Sequence, residues 1–261
     1  MPDKHRRPSP QRAWASAGRE DGPTLIFGIH AVEAALANEQ RTIGKLFLTD
    51  NAERRLQEVL KARGLAHERV LPKDLDRRLG PDTVHQGALI ETAPLPEPSL
   101  EALAEQTAGR PLIVLDQVTD PHNVGAILRS AAVFGASGLM MTRRHSPPLD
   151  GTLAKSASGA LEHVPIVLVQ NLARALAELK ELAFTVIGLD GEAPDRLEEL
   201  AWPERAALVL GAEGKGLRQL TRESCDRLCR IATDGPIASL NVSNAAAIAL
   251  HAAAARRLGL G

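Results

Sequence analysis

From Pro111 onward the chain alternates between short runs that are apolar at every position and stretches with apolar residues at helical spacing. The apolar runs are PLIVLDQV, SGLMMT, VPIVLVQ, FTVIGLD, AALVLG and DRLCRIA. Between them lie VGAILRSAAVFGA, GTLAKSASGALE and NLARALAELKELA, and an Ala-rich helix runs from Asn241 to about Leu258. A strand that is apolar on both faces must be covered on both. Such runs alternating with helices predict an α/β domain built on a parallel sheet. In these sheets the ligand site lies beyond the carboxyl ends of the strands.

A smaller α/β unit precedes this region. LIFGIHAVEAALAN starts extended and turns helical, with Val32, Ala35 and Leu36 on one face; IGKLFLT reads as a strand and NAERRLQEVLKARG as a helix ending at Gly64. A short strand around Arg69–Leu71, a helix around Asp74–Leu79 and the strand VHQGALIET follow. Pro94, Pro96 and Pro98 then fix φ and remove backbone donors, so APLPEPS reads as an extended linker. Residues 1–22 are rich in Arg, Pro and Ser with few large apolar side chains, and are expected to be a disordered basic tail. The expected organisation is a tail over 1–22, a small domain over 23–92, a Pro-rich linker over 93–99 and a larger domain over 100–261.

Composition narrows the classes. No stretch approaches the ~20 apolar residues of a membrane span, and no apolar segment at the start reads as a secretory signal, so a cytoplasmic chain is expected. Two cysteines, Cys225 and Cys229, cannot build a disulfide scaffold or a four-ligand zinc site. With 2% aromatics and a net charge of −1, composition alone favours a small-molecule enzyme over a nucleic-acid protein. The charge is segregated, however: 15 Lys and Arg against 13 Asp and Glu over residues 1–91, and 16 against 19 over 92–261. Arg143, Arg144 and the arginines of 218–230 are expected to provide local positive surface.

Three segments carry candidate chemistry. In LDQVTDPHNVGAILRSAAVFGA a strand ends at Asp116, Asn123 stands where a helix cap is expected, and Arg129 interrupts an apolar helix. An arginine among Val, Ala, Ile and Leu needs a partner if buried, and a phosphate or carboxylate would supply one. LVLGAEGKGL places Gly211, Gly214 and Gly216 after a strand, with Glu213 as its one carboxylate. It is neither a phosphate-binding P-loop nor the dinucleotide fingerprint, which argues against a nicotinamide-dependent dehydrogenase. GPIASLNVSNAAAIALHAAA crowds Ser239, Asn241, Ser243 and Asn244 at the start of the last helix, more polar side chains than capping requires. Its small residues also permit close helix packing, within the chain or against a second subunit. Taken singly, each segment is equally compatible with a structural role.

Together, and in this order, the segments closely resemble the three motifs of the SpoU (TrmH-like) family of RNA 2′-O-ribose methyltransferases. FGIHAVEAAL and VHQGALI resemble that family's N-terminal ribosomal-protein-like RNA-binding domain, and ASGALEHVPIVLVQNLARAL and LTRESCDRL extend the likeness from Leu25 onward. Within the family the likeness is strongest to bacterial members that methylate a guanosine in the peptidyl-transferase region of 23S ribosomal RNA. Members acting on transfer RNA or another ribosomal nucleotide are the alternative, and a non-catalytic RNA-binding homologue is an alternative of another class.

The resemblance implies a C-terminal α/β domain tied in a trefoil knot, S-adenosylmethionine as methyl donor with no metal, and a homodimer formed through the knotted domain. Carried over by position, cofactor contacts fall on Gly211, Ile231 and Leu240, the missing glycine side chains making space for the cofactor. The polar catalytic set falls on Asn123, Arg129, Glu213, Ser239 and Asn241. Asn244 departs from the small apolar residue of many relatives. The implied reaction is in-line attack of a ribose 2′-hydroxyl on the sulfonium methyl. The residue matching Arg129 has been proposed as its base, but a guanidinium stays protonated. Physical chemistry assigns Arg129 to the target phosphate and the developing alkoxide, and leaves Glu213 or a water to accept the proton. Weaker candidates for RNA contact are His30, His85, Arg143, Arg144, His145, Lys155, Arg218 and Arg222.

Overall fold

The computed structural model describes residues 23–107, 109–236 and 240–260. The expected tail over 1–22 and the site candidate Ser239 lie outside the described residues. The chain divides into two compact units. One comprises residues up to Leu95 together with Pro148–Lys155, and the other Pro96–Pro147 and Ser156 onward.

The first unit carries strands β1 (Thr24–Phe27), β2 (Ile43–Leu48), β3 (Glu68–Arg69) and β4 (Ala88–Thr92). With them go helices α1 (Ile29–Ala37), α2 (Asp50–Arg63) and α3 (Pro72–Leu79). Its sheet runs β1-β4-β2-β3, antiparallel except for the β2–β3 pair. α2 stops at Gly64, which adopts the left-handed conformation that only glycine enters cheaply. Phe27, Phe47, Leu75 and Leu89 form its core. Pro148–Lys155 belongs to this unit because Gly151 faces the Phe27 ring and the Lys155 stem lies on Gly28.

In the HQG segment, His85 is held by Asp76 through Nε2 at 3.1 Å and accepts the Gly87 N–H on Nδ1 at 3.0 Å. Gln86 accepts the N–H of Ile29 at the start of α1. His85 is therefore committed to the fold of the unit, whereas His30 is exposed.

The second unit is α4 (Leu100–Glu105), β5 (Leu112–Asp116), α5 (Pro121–Phe134), β6 (Gly138–Thr142), α6 (Gly151–Ala157, its start shared with the first unit), β7 (Ile166–Val169), α7 (Leu172–Glu181), β8 (Thr185–Leu189), β9 (Asp195–Arg196), β10 (Ala206–Gly211), α8 (Gln219–Glu223), β11 (Arg227–Arg230) and α9 (Val242–Arg257). Its seven strands run β7-β6-β5-β10-β8-β11-β9, and every pairing is parallel. The six apolar runs are all strands of this sheet. Leu112–Leu115, Leu139–Met141 and Ala207–Leu210 are buried, as coverage of both faces requires. Among the described residues no helix is long and apolar enough to cross a membrane.

One expectation changes here. Asn123 is not the cap of α5: Asp120 is, accepting the His122 N–H at 2.9 Å, with Pro121 in the first helical position where its missing donor costs nothing. Cys225 follows α8, and Cys229 is a buried strand residue of β11. The small residues of α9 are used inside the chain: Ala246, Ala249, Leu250, Ala253 and Ala254 are buried, and α9 lies along α5. Arg257 donates to the Phe134 carbonyl, and His251 meets the Phe134 ring edge-on.

Candidate active site

β5, β6 and β7 spread to one side of the sheet while β10, β8, β11 and β9 lie on the other, so the order reverses between β5 and β10. The carboxyl ends of β8, β10 and β11 open onto a cavity of about 450 Å³, within the range of small-molecule sites. Its apolar lining includes Leu189, Leu210, Leu217, Ile231, Leu240 and Val242, and Gly211 forms its floor at the end of β10. All three residues expected to touch a cofactor, Gly211, Ile231 and Leu240, thus line one cavity. Asp190, Glu192 and Glu213 add carboxylates to its wall.

The glycines of the loop after β10 also answer to the loop itself. A Cβ on Gly211 would lie 2.1 Å from the carbonyl carbon of Gly216, so its bare backbone makes room for the returning loop. The loop closes through the Gly216 N–H on the Ala212 carbonyl at 2.8 Å. Gly214 and Gly216 sit at φ +78 and +65 in open space. Glu213 rides on this tight turn. Behind it, the fully buried carboxylate of Asp116 takes the Arg218 backbone N–H at 3.0 Å and the Arg218 Nε at 2.6 Å, tying the far end of the loop to the end of β5.

Three of the five polar candidates meet. Asn123, in the first turn of α5, donates through Nδ2 to Glu213 Oε2 at 3.3 Å and accepts from Asn241 Nδ2 on Oδ1 at 3.0 Å. Asn241 caps α9, its Oδ1 accepting the Ser243 N–H at 2.8 Å. The first, second and third motifs are thereby joined by side-chain hydrogen bonds spanning 90 and 118 residues of sequence.

Arg129 is not part of this chain. It lies six residues beyond Asn123 on α5 and is exposed, so the argument from a buried charge does not apply to it. Among the described residues it has no hydrogen-bond or ion-pair partner, which leaves its guanidinium available to a ligand. Asn244 is exposed on the first turn of α9.

The other arginines expected to face RNA are largely spoken for. Arg143 pairs with Glu97 at 2.6 Å, Arg218 with Asp116 and Arg222 with Asp190 at 2.8 Å, while Arg230 donates to the carbonyls of Ala193 and Pro194. These four clamp loops at the strand ends, while Arg144 and Arg227 stay exposed. Sequence reasoning missed Asp116 and Asp190 because their partners are remote in the chain. Both thiols are kept protonated: burial pushes Cys225 up to about 11 and raises Cys229, which lines the cavity, as well.

Comparison with known proteins decides the family. Residues 110–251 match the SpoU rRNA Methylase family, and residues 25–98 match its companion domain, described as RNA 2′-O ribose methyltransferase substrate binding. The chain belongs to the SpoU rRNA methylase family. A Ralstonia nicotianae protein named 23S rRNA (guanosine-2′-O-)-methyltransferase RlmB is 42% identical over 89% of this chain and 96% of its own length. The Pseudomonas aeruginosa protein of the same name is 40% identical over 86% of this chain and 93% of its own. The solved SpoU methyltransferase AviRb of Streptomyces viridochromogenes, in complex with AdoMet, superposes with a TM-score of 0.77. It covers 97% of this chain and 99% of that one at 22% identity, a likeness of fold. Membership of the SpoU family accounts for the order of the three motifs, which fold pattern alone left open.

Proposed function

We propose that this protein transfers a methyl group from S-adenosylmethionine to the ribose 2′-hydroxyl of a guanosine in 23S ribosomal RNA, in the peptidyl-transferase region. What carries the reading is one observation. Glu213 lines the same cavity as Gly211, Ile231 and Leu240, and its carboxylate is bonded to Asn123 and through it to Asn241. The relatives of about 40% identity, whose names give that nucleoside and that RNA, support the substrate.

The cavity suits the methyl donor. Its leucines, Ile231 and Val242 offer apolar walls to a heterocycle, and charged side chains of both signs, among them Glu192, Glu213 and Lys215, stand at its rim for the polar end of the donor. When bound, the cofactor supplies a methyl group on a positively charged sulfur. Glu213 accepts the proton of the 2′-hydroxyl, Asn123 and Asn241 hold Glu213 in place, and Arg129 grips the phosphate beside the target ribose. Ser239 joins this set by its position in the third motif. Holding two substrates in line supplies much of the rate.

The knot, the ribosomal-protein-like character of the N-terminal domain and a cytoplasmic location are carried over with the family. So is the homodimer, which has support of its own. Val133 on α5 is 76% exposed, and Ile248 and Leu258 at α9 add apolar surface on the paired helices. A two-fold contact through these two helices would bury such residues. Sedimentation should find the wild type dimeric and Val133→Glu monomeric; a monomeric wild type overturns this part of the proposal.

Calorimetry with S-adenosylmethionine, and mapping of 2′-O-methyl groups in RNA from a strain lacking this protein, test the main reading. Binding, and loss of one 23S ribosomal RNA methyl group, are expected. Absence of binding would favour a non-catalytic RNA-binding homologue. Loss at a transfer RNA position with ribosomal RNA unchanged would move the substrate.

A further inference from the structure

The hydrogen-bonded chain in the site has a direction, and that direction is dictated from the end remote from Glu213. The backbone N–H of Ser243 can only donate, and it points at Asn241 Oδ1 from 2.8 Å; the Ser243 hydroxyl reaches the same atom at 2.6 Å. The Asn241 atom there must be the carbonyl oxygen. Its amide nitrogen then faces Asn123 at 3.0 Å. A nitrogen of this kind only donates, so Asn123 must answer with Oδ1. That leaves the Asn123 amide nitrogen to donate to Glu213 Oε2 at 3.3 Å. Turning either amide over would set donor against donor or acceptor against acceptor.

The Asn123 amide thus occupies one lone pair of Oε2, which leaves Oε1 the oxygen with both of its lone pairs open. Oε1 has no partner among the described residues. We infer that Ser243, outside the set of polar residues assigned above, is a positioning residue for methyl transfer, orienting Asn241 and through it Asn123 so that Oε1 of Glu213 is the atom that takes the proton. In that step the ribose O–H bond breaks, its electron pair stays on the ribose oxygen, and the proton binds Oε1. The inference rests on the reading of Glu213 as the base.

The test compares pH–rate profiles of steady-state methyl transfer. Ser243→Ala removes the hydroxyl donor while the backbone N–H remains, so kcat should fall about 3- to 10-fold, with KM for both substrates unchanged. The acid limb should move to higher pH, and Ser243→Thr, which restores the hydroxyl, should restore the profile. Asn241→Asp still caps α9 but offers Asn123 no donor, and should lower kcat by about a hundredfold. A Ser243→Ala profile that superimposes on the wild type, or one that Ser243→Thr does not repair, overturns the inference. Glu213→Gln separates the two levels. If that variant keeps its acid limb, the base reading falls and the inference with it. If it loses the limb while Ser243→Ala matches the wild type, the inference alone falls.

Discussion

Glu213→Gln is expected to lower methyl transfer by about 10²- to 10⁴-fold and to abolish the acid limb of the pH–rate profile. The substitution separates charge from shape. A glutamine carbonyl can still accept from Asn123 Nδ2, so the chain to Asn241 survives, and the tight turn through Gly211, Gly214 and Gly216 does not depend on the 213 side chain. Glu213 is exposed, so its replacement leaves no orphaned buried group. Affinity for S-adenosylmethionine, measured by calorimetry, should stay within a few-fold, because the apolar walls of the cavity are untouched. What is lost is the basic oxygen. Near-normal turnover, or an acid limb that persists, would show that water or another group takes the proton.

The sheet was legible because its strands are apolar on both faces: Val114, Met140 and Leu208 are fully buried, and no amphipathic strand would show such a run. β9 was not legible. Asp195 and Arg196 are polar and exposed, and they form a strand only through pairing with β11. α4 was missed although its signal was present, Ser99 accepting the Ala102 N–H just ahead of LEALAE. At α5 the dipeptide Asp120–Pro121 marked the helix start better than Asn123 did. Removing Asn123 from the capping role also frees its side chain for Glu213.

The site was legible by residue type and order, and illegible in its connections. Asn123, Glu213 and Asn241 could be named from the motifs, but no local pattern tells that they bond to one another. The same holds for Asp116 and Arg218, 102 residues apart, whose pairing secures the loop that carries Glu213. Counting arginines over 218–230 overstated the free positive surface, because a count cannot see that Asp116 and Asp190 are waiting at the strand ends for Arg218 and Arg222, while Arg227 stays exposed.

Arg129 differs from those arginines, and its substitution distinguishes chemistry from stability more sharply than any other here. Arg143, Arg218 and Arg222 each hold a carboxylate of the fold, so truncating them would disturb loops as well as function. Arg129 is exposed, and among the described residues it has no partner; exposed positions of this kind usually change stability by less than about 0.5 kcal/mol. Arg129→Ala should therefore melt with the wild type and bind S-adenosylmethionine normally. Methyl transfer should nonetheless fall by about a hundredfold to a thousandfold, the scale of losing a charged group that stabilises developing negative charge. Arg129→Lys keeps the charge but not the two-pronged fork that grips a phosphate, so it should recover only part of the rate. If the alanine variant turns over near normally, Arg129 is a surface residue and the phosphate is held elsewhere. If it instead loses stability in step with activity, its role lies in the fold or in a subunit contact beside Val133.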